Sequence, residues 1–148
     1  MTKDVLVSIT GAHAIDGETG DVEVITAGSY YCKNGYHYVI YDETIEGVED
    51  SIRNTIKIGT KSVDVIKNGG AHSHMVFEKQ KKNVSCYATP YGQMMIGINT
   101  NDIEVNEEEN KLQVRIDYAL DINYEEVSKC RLTMKIQSRT KTAFHLGS

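Results

Sequence analysis

Hydrophobic and polar positions alternate along most of this chain. In "KLQVRIDYALDI", Leu112, Val114, Ile116, Tyr118, Leu120 and Ile122 share one face, while Gln113, Arg115, Asp117 and Asp121 share the other. A period of two over this length predicts a strand with one face buried. "CRLTMKIQ" repeats the pattern, with Cys130, Leu132, Met134 and Ile136 set against Arg131, Thr133, Lys135 and Gln137. "DIEVN" sets Ile103 and Val105 against Asp102, Glu104 and Asn106.

The segments between these runs are short and rich in turn formers. They are "KNGY" around Asn34-Gly35, "IGTKS" around Gly59, "NGG" at 68–70, "QKKN" at 80–83, "PYG" at 90–92, "NEEEN" at 106–110 and "NYEEVS" at 123–128. Asn-Gly supplies the positive-φ residues of a tight hairpin. The spacing predicts roughly nine or ten strands in a sandwich or barrel. The nearest approach to helical spacing is "TIEGVEDSIRN" at 44–54, through Ile45, Val48 and Ile52. Gly47 and the β-branched residues reduce it to one turn or an irregular connection.

Two hairpin registers follow. A turn at Asn34-Gly35 pairs Cys32 with His37 and Tyr30 with Val39, and leaves Ser29, Tyr31, Tyr38 and Ile40 on the other face. A two-residue turn at Lys81-Lys82 pairs Phe77 with Cys86, Met75 with Ala88, His74 with Thr89, Val76 with Tyr87 and Glu78 with Ser85. That register makes Met75, Phe77, Cys86 and Ala88 one apolar face.

Length and charge narrow the picture. The 148 residues suit a single domain spanning 1–148 with its own core. The net charge of −5 argues against nucleic acid as a partner, and the basic run Lys79–Lys82 reads as a solvated turn. Cys32, Cys86 and Cys130 are far apart and odd in number, which fits neither a disulfide framework nor a zinc ribbon. Without a signal peptide or an ~18-residue apolar span, the expectation is a cytoplasmic chain away from the membrane.

Candidate chemistry is thin. His72 and His74 lie two apart and would share a strand face. Glu78, four residues on from His74, stands roughly 13 Å further along the strand, too far to join it on a metal. No metal and no cofactor are therefore expected. Cys32 opposite His37 reads as a small buried thiol beside a half-buried ring. The carboxylates Glu107 to Glu109 and Glu125-Glu126 fall in predicted turns as solvated charges. No nucleophile motif and no phosphate loop is present, so no catalytic residue is assigned and an enzyme is not the favoured class.

"YHYVIYDET" at 36–44, "IKIG" at 56–59, "VIKNGGAHSHMVFE" at 65–78, "YATPYG" at 87–92 and "VRIDYALDIN" at 114–123 occur in that order. Together they resemble the YwiB-like family of bacterial proteins of unknown function over nearly the whole chain. The resemblance implies an all-β fold, a closed antiparallel calycin-like (lipocalin-like) barrel of roughly eight to ten strands, and it carries no reaction. The family pattern centres on the glycine, Met75 and Phe77; His72 and His74 are particular to this sequence. The chain has no tryptophan, so the glycine-x-tryptophan of the lipocalins proper is missing.

A barrel of this size either fills with side chains or holds one small ligand. Tyrosine, with an apolar ring and a polar tip, suits a lining. Tyr38, Tyr41, Tyr87, Arg115 and Tyr118 are the candidate ligand residues, Arg115 only if the polar strand face turns inward. The favoured function is a non-catalytic barrel binding a small apolar or amphipathic ligand. The alternative is a protein-interaction module with a solid core. The sequence leaves the oligomeric state open.

Overall fold

Alternation becomes strand throughout the described chain. The strands are β1 (Asp4–Ile15), β2 (Glu18–Lys33), β3 (Tyr36–Glu43), β4 (Ile52–Ile58), β5 (Ser62–Asn68), β6 (Ser73–Glu78), β7 (Lys81–Thr89), β8 (Gly92–Glu108), β9 (Lys111–Ile122) and β10 (Glu125–Ser138). The computed structural model describes residues 1–15, 18–44, 47, 51–69 and 72–139, with side chains except those of 13–15, 18–22 and 87–89. The ten strands form one sheet in the order β6-β5-β4-β3-β2-β1-β10-β9-β8-β7, each neighbour antiparallel. The edge strand β6 packs against β7 and β8 without a ladder between them, so the sheet curls into a nearly closed barrel.

The apolar phase of each strand turns inward. On β9 and β10, Leu112, Val114, Ile116, Met134 and Ile136 are fully buried. Val5, Val7, Val39, Ile56, Ile58, Val63 and Phe77 meet them from the other strands in one continuous cluster. Each such side chain contributes roughly 1.5–3 kcal/mol by leaving water. The cluster lies inside the barrel. One extra residue in β8 between Thr100 and Asp102 forms a bulge. It changes the inward phase from Ile98 and Thr100 to Ile103 and Val105, which keeps a strand of 17 residues apolar on one side despite a break in its alternation.

On β3 to β6 the register stacks the inward residues in cross-strand rows. His37, Ile58, Val63 and Phe77 form the first row, Val39, Ile56, Val65 and Met75 the second, and Tyr41, Asn54, Lys67 and Ser73 the third. Two rows are mainly apolar and the third is polar.

The first hairpin pairs as its turn chemistry predicts, Cys32 with His37 and Tyr30 with Val39. Asn34 and Gly35 both take positive φ, 53° and 81°, the backbone of a two-residue turn that follows strand twist. The second predicted hairpin is overturned. The turn is Lys79-Gln80, β6 pairs with β5, and β7 pairs with β8. Phe77 lies opposite Val63, and Cys86 lies opposite Met95 with its thiol exposed. Met75 and Phe77 do face the core, but Cys86 does not join them. Gln80 takes the positive φ of 60° that an Asn or Gly would have advertised.

Smaller corrections follow from strand length. Ile52 to Asn54 begin β4 instead of ending a helical turn, while residues 45–46 and 48–50 lie outside the described residues. Glu107 and Glu108 end β8, and Glu125 and Glu126 open β10, so only Glu109-Asn110 and Asn123-Tyr124 turn the chain there. Gly69 is required where it stands. Its φ is 139°, and a Cβ there would sit 2.5 Å from the Ser51 carbonyl oxygen, so this glycine lets the end of β5 lie against the start of β4.

Candidate ligand site in the polar layer

The third inward row places polar groups where the alternation of β3, β4 and β5 calls for apolar ones. Asn54 follows Ile58 and Ile56 in phase and has no exposed surface. Its Nδ2 donates to Glu43 Oε1 at 3.2 Å, and Lys67 Nζ donates to the same oxygen at 3.2 Å. Asn54 Oδ1 is buried and accepts no hydrogen bond. The Asn54 amide and the Lys67 ammonium hold the Glu43 carboxyl below its ordinary pKa, against a smaller opposing effect of burial. Tyr41 lies directly opposite Asn54 in the row. Burial first, and the Glu43 charge second, raise its phenol pKa. The layer thus combines an aromatic ring, one ion pair and a buried acceptor without a donor. Such an acceptor costs roughly 1–3 kcal/mol until something satisfies it.

A second polar set lies at the barrel mouth beside the Asn34-Gly35 turn. Tyr30 Oη and His37 Nδ1 are 2.6 Å apart, and His37 Nε2 lies 3.6 Å from Glu107 Oε2. Burial, then the neighbouring Cys32 thiol and the Glu107 charge, raise the Tyr30 pKa. Cys32 is exposed, which corrects the expectation of a buried thiol at that position: it lies opposite His37 next to the Asn34-Gly35 turn, where the hairpin ends. His37 is the half-buried ring expected there, and it stacks on Tyr30 with ring centroids 5.8 Å apart.

The candidate residues named from sequence separate. Tyr41 is in the polar layer. Tyr118 faces inward but fills the core, packed edge-on against Phe77 with ring centroids 4.9 Å apart. Burial and the adjacent Cys130 thiol push its phenol pKa well up. Tyr38 faces outward and stacks on Tyr31 at 4.7 Å. Arg115 also faces outward, 2.7 Å from Glu104 and within 3.6 Å of Asp102 and Asp117. It is outside because the apolar side of β9, not the polar side, turns inward. The Tyr87 side chain lies outside the described residues.

The two histidines of the Asn68–Glu78 stretch each have a separate acceptor. His72 Nδ1 lies 2.7 Å from Asn68 Oδ1, and His74 Nε2 lies 2.9 Å from Asp64 Oδ2 on β5. Among the described residues no three His, Cys, Asp or Glu side chains gather as metal ligands. His13 and His145 have side chains outside the described residues.

Glu43, Asn54 and Lys67 carry no motif. The signal that could have found them is a phase error: a polar residue in the apolar phase of β3, β4 and β5, with Asn54 level with Lys67 and Glu43 one inward pair further along. Seeing it requires the pairing of all three strands.

The molecule is therefore a nearly closed, ten-stranded antiparallel barrel with an apolar core cluster and polar groups toward its ends. Residues 7–134 match the family described as "Domain of unknown function (DUF1934)", and the chain belongs to that family. It is similar to the "Uncharacterized beta-barrel protein YwiB" of Bacillus subtilis (strain 168), with 22% identity over 125 residues, covering 84% of this chain and 87% of the relative. The crystal structure of the ywiB protein from Bacillus subtilis superposes with a TM-score of 0.78 at 20% identity, over 93% of each chain. That likeness establishes the barrel fold.

Proposed function

We propose that this protein is a binding barrel that takes a small amphipathic ligand at the polar layer, not in a central cavity. The observation that carries this reading is the fully buried Asn54, whose Oδ1 lacks a donor in a row that also holds Tyr41 and Lys67, with Glu43 from the adjoining Glu43–Ile52 pair bonded to both Asn54 and Lys67. Buried acceptors are ordinarily satisfied, and a ligand group can do so here. The half-buried Tyr41 ring gives an apolar portion something to rest on. The apolar cluster around the barrel centre offers a polar ligand group no partner there. Exposed thiols at Cys32 and Cys86 suit work in a reducing compartment, in keeping with a cytoplasmic protein.

Native mass spectrometry of the protein purified from its own host tests this. The expected result is an adduct on the wild-type chain that is lost in Asn54→Leu. The bare chain mass alone in the wild type would contradict the reading. A docking role for the barrel wall is the second reading. It is favoured by Leu6, Ile25 and Tyr31, which are 37%, 60% and 44% exposed on the outer face of β1 and β2.

A further inference from the structure

We propose that the ligand enters the polar layer through a positively charged organic ammonium group, held by Asn54 Oδ1 and the Glu43 carboxylate, with its apolar part over the Tyr41 ring. This deepens the assignment of the layer as the ligand site and rests on it.

The hydrogen-bond inventory of the layer decides the chemistry. Asn54 has its amide orientation fixed, because Nδ2 must face Glu43 Oε1. Oδ1 is then an acceptor that only a donor can satisfy. Both bonds to Glu43 land on Oε1, which leaves Oε2 as a second acceptor carrying negative charge. A carboxylate or phosphate would face both of these oxygens and could pair only with Lys67, whose charge Glu43 already compensates. An alcohol would supply one donor and no charge. An ammonium supplies three donors and the matching charge.

Lys67 shows that this chemistry fits. Its Nζ already sits 3.2 Å from Glu43, so an ammonium is accommodated at the carboxylate. The Lys67 side chain is 36% exposed on a flexible stem. It can swing outward and yield its place. Tyr41 opposite Asn54 then offers a ring face to the cation or to the alkyl chain. The net charge of −5 favours the approach of cations over anions.

Lys67 is thus an internal competitor, and that gives the proposal a sign. Titrations of the 15N-labelled full chain with hexylammonium, 1-hexanol and hexanoate, followed by backbone amide shifts, test it. Hexylammonium is expected to shift the amides of Tyr41, Asn54 and Lys67 saturably. Lys67→Met should bind it about tenfold more tightly, and Glu43→Gln about tenfold more weakly, the size of one charge-assisted hydrogen bond. Weaker binding by Lys67→Met would overturn the proposal. Saturation of the same amides by hexanol or hexanoate but not by hexylammonium would also overturn it, while leaving the site standing. Silence of those amides toward all three probes would overturn the site and the inference together.

Discussion

Glu43 is the residue on which the polar layer turns. It compensates Lys67, orients Asn54 and raises the pKa of Tyr41. Its folded-state pKa lies below the ordinary value near 4.5, through the Asn54 amide first and Lys67 after it. A depressed carboxyl pKa stabilises the fold above the unfolded-state value, roughly 4.3, and the gain is lost as pH falls through the folded-state value. The wild type should therefore resist urea better than Glu43→Gln at pH 7. The gap between their midpoints should shrink as pH drops below about 4. A gap that persists unchanged at pH 3 would mean that the carboxylate charge plays no part.

At the scale of elements, sequence patterning was most legible where turn chemistry and alternation agree. Asn34-Gly35 fixed the register of β2 with β3 to the residue, and the inward face of β9 and β10 followed from Leu112 to Ile116 and from Met134 to Ile136. It was least legible at Lys79-Gln80. No Asn, Gly or Pro marks that turn, and a tight turn there does not produce a ladder, because β6 and β7 each pair with a different neighbour. The register of β7 has a chemical consequence. Cys86 is exposed, as is Cys32, while Cys130 is half-buried beside Tyr118. Native protein should thus react promptly with a thiol reagent at Cys32 and Cys86 and more slowly at Cys130, as peptide mapping of the labelled chain would show. Protection of Cys86 would restore the β6–β7 hairpin with that thiol inside.

At the scale of the whole molecule, the sequence pointed to a barrel and left open which strand faces look inward. The inward side is the apolar one, and that choice sorts the candidates. Tyr41 goes to the polar layer and Tyr118 to the core, while Tyr38 and Arg115 go to the outer wall. The layer itself was hidden because binary patterning assigns polar residues to the outside, whereas Asn54 keeps the phase of Ile56 and Ile58. The barrel has an apolar core and an unsatisfied acceptor at Asn54 Oδ1. The most direct test of that account is a crystal structure of the protein purified from its own host. The account predicts electron density for a bound molecule at Tyr41, Glu43, Asn54 and Lys67, and none among Phe77, Leu112 and Met134. A molecule enclosed among those core residues, or a polar layer without any bound group, would contradict it.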